Sequence, residues 1–288
     1  MIRVFVNPLS GRGAARAITK RWDFLDPDVI DFERFPSQLR KNIRPGDLIV
    51  VAGGDGTASF VVQSLFAAGM EADVTLALYP LGTGNDLARS LGCPRPPHPT
   101  AFIVSLRSDR YTASDVAVWR IGDRCAINYI GIGLDASILA TADRWRRFFR
   151  TQPMLRKLSL GLAGLGHVAF RIKDDVRIRT DDGVIDLRET RGLIFSNVGY
   201  YGGGKRIGVH DPSEPLLSVT LLRRNTDLLR MMLSRHTSGP TLAYSRTAGA
   251  SIDGTSIPAQ IDGEVAVLSS GQITCAGHVR IACVRDTG

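Results

Sequence analysis

The sequence predicts an α/β N-terminal domain with a mostly parallel sheet, followed by a mostly antiparallel β-sandwich C-terminal domain. Three observations lead there. The first third of the chain alternates apolar strand segments with helical ones, the pattern of a parallel sheet covered on both faces. From about Tyr111 the segments become short and several alternate, separated by turns at Asp182-Gly183, Asp253-Gly254 and Asp262-Gly263. The length of 288 residues also suits two domains better than one. The expected division is 1–115 and 116–288, with a helical insertion near 136–170 in the second part.

The elements follow in order. Ile2–Val6 is apolar and β-branched, and the turn-rich Asn7-Pro8-Leu9-Ser10-Gly11 ends it. A helix rich in Ala and Arg is expected over Ala14–Phe24, then strands at Val29–Phe32 and Asp47–Ala52. A helix over Thr57–Ala68, a strand at Val74–Tyr79 and a helix over Asp86–Leu91 complete the alternation. Four prolines between Pro94 and Pro99 mark a loop, and Thr100–Leu106 reads as one more helix. The second part offers strands at Asp115–Trp119, Cys125–Ile130, Val176–Thr180, Val184–Thr190 and Gly192–Asn197.

An apolar content of 44% with 22% charged residues excludes disorder, a collagen-like chain or a coiled coil as a description of the whole. Met1 leads straight into a strand pattern, so no signal peptide is expected. The longest weakly polar run, Leu158–Phe170, is too short to span a bilayer, which makes a soluble or peripheral protein the expectation. Cys93, Cys125, Cys275 and Cys283 form no CxxC pair and are read as buried, reduced thiols of a cytoplasmic protein. Of the 36 basic residues only five are lysines, and the net charge is +8. Arginine suits phosphate and lipid headgroups, although a GC-rich genome accounts for the same excess. Charge alone does not separate nucleic acid, nucleotide and membrane as partners.

Chemistry concentrates in three loops. Gly53-Gly54-Asp55-Gly56-Thr57 lies between an apolar strand and a helix, where glycines let backbone amides turn toward an anion. A carboxylate inside such a nest repels phosphate unless a metal or a donor network neutralises it. The plainer reading is a strand–helix turn with an Asp N-cap. Two companions weigh against that reading: Asn7 to Gly13, and Pro80-Leu81-Gly82-Thr83-Gly84-Asn85-Asp86, each just after a strand. In a parallel sheet all three loops emerge at the carboxyl edge, where open α/β sheets bind ligands. None matches the Walker or dinucleotide fingerprints.

At these residues the chain resembles the diacylglycerol kinase catalytic-domain family, which includes bacterial lipid kinases and is related to sphingosine and ceramide kinases. Gly-Gly-Asp-Gly-Thr is shared with NAD kinases, whereas Pro80 to Arg89 is similar to the lipid-kinase branch specifically. The likeness extends through Gly131-Ile132-Gly133-Leu134-Asp135-Ala136, through Asn197 to Gly204 with its triple glycine, and through Asp262-Gly263-Glu264. The resemblance implies ATP and Mg2+ as cofactors. It places Asn7, Ser10, Gly11, Gly53, Gly54, Gly56, Thr57, Gly82, Thr83, Asn85 and Asp86 about the nucleotide. Asp55, Asp86 and Asp115 would form a carboxylate and water network near the metal. Asp262 would be the base toward a lipid hydroxyl, with Glu264 nearby and Asp55 completing the catalytic set. By spacing alone, Asp262-Gly263 would pass for a hairpin turn.

One departure stands out. The family's Asp-Gly pair after the triple glycine, associated with a structural metal, is replaced here by Val209-His210-Asp211-Pro212-Ser213-Glu214. Asp211 or Glu214 could substitute as an oxygen ligand, and the preferred reading is that both are solvated loop acids.

The stretch 144–158 interleaves Arg144, Arg146, Arg147, Arg150, Arg156 and Lys157 with Trp145, Phe148, Phe149, Met154, Leu155 and Leu158. Such a mixture suits an anionic membrane surface, and equally a nucleic acid or a helix packed on the β domain. Membrane contact ranks first because the implied substrate is there, and no nucleic acid is expected. The five histidines show no metal-ligand spacing, and Asp227–His236 reads as a short amphipathic helix.

The expectation is therefore an ATP- and Mg2+-dependent lipid kinase, cytoplasmic and held peripherally at the inner face of the membrane. Diacylglycerol is the first acceptor, with ceramide, a sphingoid base or monoacylglycerol close behind. A soluble NAD-kinase-like enzyme and a catalytically silent lipid-binding regulator are the alternatives, and a homodimer is left open.

Overall fold

The computed structural model describes residues 1–25, 28–29, 35–82, 84–93, 98–148, 163, 175–207, 211–224, 226–227 and 244–284. Several expectations fall outside them: residues 30–32 of the second strand, Thr83, the proline loop at 94–97, residues 149–158 of the 144–158 basic and aromatic stretch, Val209-His210, and the 228–236 part of the expected helix.

The N-terminal part runs β1 (Ile2–Val6), α1 (Ala14–Arg21), β2 (Asp28–Val29), α2 (Phe35–Asn42), β3 (Leu48–Gly53), α3 (Asp55–Ala68), β4 (Thr75–Pro80), α4 (Asp86–Ser90) and α5 (Pro99–Arg107). The four strands are mutually parallel in the order β2-β1-β3-β4. Their alternation explains why they are apolar throughout. Ile49 and Val51 of β3 point into a core with Phe35, Leu39, Val61 and Leu65, whereas Val50 and Ala52 point into another with Ile18, Trp22 and Phe102. Both faces of the sheet are thus covered, α2 and α3 on one side and α1 and α5 on the other. The sequence pattern missed α2, because only Phe35 and Leu39 of that helix are buried. Two apolar residues make too narrow a stripe to signal a helix.

The remainder comprises β5 (Thr112–Ile121), β6 (Arg124–Ala126), β7 (Tyr129–Gly133), α6 (Leu134–Phe148), β8 (Arg177–Thr180), β9 (Gly183–Asp186), β10 (Gly192–Ser196), β11 (Tyr200–Tyr201), β12 (Lys205–Arg206) and β13 (Leu217–Leu222). Then come β14 (Tyr244–Thr247), β15 (Gly249–Asp253), β16 (Ile257–Ile261), β17 (Glu264–Leu268) and β18 (Gly271–Cys283). A six-stranded antiparallel sheet has the order β14-β13-β10-β7-β16-β17. Its Ile130, Ile132, Phe195 and Val219 pack against Trp119, Ile178, Ile252 and Ile273 of the other sheet, forming the sandwich core. Its opposite face meets α6 through Leu134, Ile138 and Ile194.

The long strand β18 joins the two parts. It runs parallel to β4 at its C-terminal end and antiparallel to β5 and β15, so the parallel sheet continues into the sandwich. The 115/116 division falls within β5.

Two details depart from expectation. Cys125–Ile130 is two strands rather than one, because the amides of Ile127, Asn128 and Tyr129 bond to the carboxylate of Asp262. The reading of four reduced thiols is corrected as well: Cys93 and Cys283 form a disulfide across 190 residues of sequence, while Cys125 and Cys275 are free. Cys93 follows α4, which follows β4, and Cys283 ends the strand beside β4. The pairing therefore depends on the return of β18.

Candidate active site

The three glycine-rich loops leave the carboxyl ends of β1, β3 and β4 and touch one another. Asn7 Nδ2 donates to Thr57 Oγ1 at 2.9 Å, while its Oδ1 accepts the Leu9 amide at 3.0 Å. Ser10 and Gly11 lie in the 3-10 turn that follows, with Gly11 at φ +68°. A Cβ on Gly82 would stand 2.8 Å from Gly54 Cα, so these backbones can meet only because both residues are glycine. Asn85, in the left-handed region at φ 53°, donates from Nδ2 to Gly82 O at 2.9 Å.

Gly54, not Asp55, is the N-cap of α3. Asp55 turns its carboxylate to the start of α4 instead, where it accepts the amides of Asp86 at 3.0 Å and Leu87 at 3.2 Å. Asp86 in turn reaches the triple-glycine loop between β11 and β12. It accepts the amides of Gly203 at 3.1 Å and Gly204 at 2.6 Å. The loop sits so close that a Cβ on Gly84 would be 2.9 Å from Gly203 Cα, and one on Gly204 would be 2.9 Å from Arg89 Nε. Arg89 donates to Gly84 O at 2.7 Å. Two carboxylates thus clasp three loops from distant parts of the chain.

Their electrostatics follow from this enclosure. Burial raises the Asp55 carboxyl above its ordinary range, against the pull of the amides it accepts. Burial and the neighbouring Asp55 charge together push Asp86 up to about 6. A pair of buried carboxylates in this state favours a cation or a shared proton.

Asp262 lies along α3 from the clasp. Its Oδ2 accepts the Ser59 hydroxyl at 2.7 Å and the Ile127 amide at 2.9 Å; its Oδ1 accepts Asn128 at 2.8 Å and Tyr129 at 2.9 Å. Ser59 is four residues beyond Asp55, hence one helical turn along the same face of α3. Burial raises the Asp262 carboxyl, and the four donors oppose that rise. The residue occupies φ 49° in its turn.

The structure therefore gathers Asn7, Gly54, Thr57, Gly82, Asn85, Asp55 and Asp86, and connects Asp262 to them through α3. It does not gather Asp115 or Glu264. Asp115 lies more than half exposed on β5, 3.6 Å from Arg280. Glu264, 68% exposed, pairs with Arg124 at 3.4 Å. Among the described residues no three His, Cys, Asp or Glu side chains converge in a way that could hold a metal ion. Sequence reasoning passed over Ser59, whose only signal was its i, i+4 spacing from Asp55, and gave no role to Arg89, although Arg89 ends the Pro80 to Arg89 motif.

Residues 1–119 match the family model of the diacylglycerol kinase catalytic domain. A diacylglycerol kinase of Mycobacterium tuberculosis is 29% identical over 249 residues, covering 80% of this chain and 76% of that protein. A diacylglycerol kinase of Bacillus subtilis is 51% identical over a stretch of 53 residues, 18% of this chain and 17% of that one. A crystal structure of a putative diacylglycerol kinase from Bacillus anthracis superposes with a TM-score of 0.70 at 22% identity, over 97% of this chain and 96% of that one. This last likeness establishes the two-part fold.

Proposed function

We propose that the chain is a lipid kinase of the diacylglycerol kinase catalytic-domain type, whose family model residues 1–119 match, and that it transfers the γ-phosphoryl group of Mg-ATP to the hydroxyl of diacylglycerol. The observation that carries the reading is the position of Asp262 one helical turn along α3 from Asp55. That arrangement sets a buried carboxylate beside a glycine-lined helix N-terminus, as transfer to a hydroxyl requires.

The residues present fit a magnesium ion. Asp55 and Asp86 are hard oxygen donors, and each Asp86 oxygen accepts one amide and keeps a further lone pair. The buried Asn85 Oδ1 has no hydrogen-bond partner. Two carboxylates suffice where water and phosphate oxygens supply the remaining ligands. When bound, the ion would neutralise charge developing on the transferred group.

The protein's own groups do the rest. The amides at the start of α3, with Thr57 held by Asn7, bind phosphate. The Asp86 clasp orients the triple-glycine loop of the β-rich part against the nucleotide loops. Asp262 takes the acceptor's proton. All four of its lone-pair directions are occupied, so one donor must yield, and Ser59 is the only donor on a rotatable side chain. The α/β part would hold ATP and the β-rich part the lipid, at the cytoplasmic face of a membrane. Support for membrane contact is the basic and aromatic stretch beginning at Arg144; none of the described helices is long and apolar enough to cross a bilayer.

Transfer of labelled γ-phosphate to diacylglycerol, monoacylglycerol, ceramide and sphingosine in mixed micelles tests the reading, with NAD as soluble control. Labelled diacylglycerol, lost in Asp262→Asn, is the expected result. Labelled NAD alone, or no labelled lipid from folded protein, overturns it.

A further inference from the structure

A second buried carboxylate system lies behind the site, on the face of the six-stranded sheet that meets α6. Asp135, in the first turn of α6, is 5% exposed. Its Oδ2 accepts Gln260 Nε2 at 2.9 Å, and its Oδ1 accepts the Tyr201 hydroxyl. Gln260 then uses its Oε1 to accept the amide of Gly263 at 2.8 Å. Gly263 is the second residue of the turn that carries Asp262. Tyr201 immediately precedes the triple glycine, in which the amides of Gly203 and Gly204 grip Asp86. The cluster has a dedicated vacancy in the sheet: a Cβ on Gly131 would lie 1.9 Å from Asp135 Oδ2.

We infer that Asp135 is a positioning residue, holding through Gln260 the Asp262-Gly263 turn and through Tyr201 the triple-glycine loop. The inference rests on the kinase reading above and deepens it. Its core is hydrogen-bond polarity. The backbone amide of Gly263 can only donate, so Gln260 must offer it the side-chain oxygen and turn the amide nitrogen to Asp135 Oδ2. That orientation is the one that ties down the turn. With Asn at 135 accepting from Tyr201, its amide nitrogen faces the nitrogen of Gln260. Inverting Gln260 only moves the mismatch to the Gly263 amide. A buried donor is left unsatisfied either way.

The same logic supplies a rescue. In the double variant Asp135→Asn with Gln260→Glu, Tyr201 donates to the Asn oxygen, the Asn nitrogen donates to the Glu carboxylate, and Gly263 donates to the other Glu oxygen. Every group is satisfied, and amide and carboxylate have merely traded places. Gln260→Glu alone instead sets two carboxylates against each other.

The experiment compares wild type, both single variants and the double variant. It reads kcat and KM for Mg-ATP with diacylglycerol, thermal midpoint, and amide hydrogen exchange at Gly263. Each single variant is expected to lose about 100-fold in kcat, the scale of an ångström-sized misplacement, with KM for Mg-ATP nearly unchanged. Gly263 exchange should accelerate in both. The double variant should recover at least tenfold over either single variant and restore Gly263 protection. Single variants at wild-type kcat, or a folded double variant no better than the worse single one, overturn the inference. If wild type phosphorylates no acceptor, the kinase reading fails instead, and Gly263 exchange across the four proteins still decides the positioning role.

Discussion

Gly84→Ala tests whether the clasp between the loops is as close-packed as its geometry requires. Gly84 is not at positive φ, so alanine is conformationally acceptable there and any loss must come from contact. The added methyl would stand 2.9 Å from Gly203 Cα and 3.3 Å from Asp55 Oδ2. Carbon atoms rest at about 3.5–4.0 Å, so the Gly84 and Gly203 backbones must part by roughly 0.6–1 Å. The Gly203 amide now lies 3.1 Å from Asp86, and that separation carries it beyond hydrogen-bonding distance. Overpacking of this kind costs about 1–3 kcal/mol. At about 2–4 °C per kcal/mol for a chain of this class, the thermal midpoint should fall by roughly 2–12 °C. Because one of the parted loops carries Asp86, whose amide bonds to Asp55, kcat should fall about 100-fold. Differential scanning fluorimetry and the lipid phosphorylation assay measure both. An unchanged midpoint with wild-type kcat would refute the inference that these backbones are in obligatory contact.

Gly56→Ala should behave in the opposite way toward the fold. A Cβ there meets nothing within 4 Å, and alanine in a helix is worth about 0.5–1 kcal/mol over glycine, so the thermal midpoint should rise. Since the open space faces where phosphate would bind, KM for Mg-ATP should rise about tenfold; an unchanged KM would move the nucleotide off this face. Asp86, pushed up to about 6, should bind Mn2+ about tenfold more weakly for each pH unit below that value, as read by electron paramagnetic resonance. A raised folded-state value also means that the native protein holds this proton more tightly than the unfolded chain. The Asp86 contribution to stability therefore declines as pH rises from 3.8 to about 6, and Asp86→Asn should lack that decline in urea titrations. Alkylation of the denatured protein should label two cysteines without reductant and four with it, because Cys93 and Cys283 are paired. Four labels in both samples would refute the pairing.

Much of the architecture was legible because burial leaves a periodic trace. β3 and β4 read as strands since Leu48 to Ala52 and Leu76 to Tyr79 each face one core or the other, and α3 reads as a helix between two glycine turns. The site loops were legible for a related reason. Glycine is required where Gly54 meets Gly82 and Gly84 meets Gly203, and such requirements survive as clusters in the sequence. The helix α2 left no comparable trace, with two buried residues, nor did the split between β6 and β7, which answers to a carboxylate more than a hundred positions away.

By itself, then, the sequence determined the parallel sheet and its three glycine-rich loops, because local backbone demands and burial act on near neighbours in the chain; Asp262 was singled out by the family resemblance and not by local pattern. Only the tertiary structure decided what the carboxylates of Asp55, Asp86 and Asp262 hold. Asp55 caps α4 rather than its own helix, Asp86 grips amides 117 and 118 positions ahead, and Asp262 receives a serine 203 positions behind it. It also decided that Asp115 and Glu264 face solvent and that Cys93 meets Cys283. Hydrogen bonds and side-chain packing depend on distance in space, and here that distance is set by β18 returning to lie beside β4.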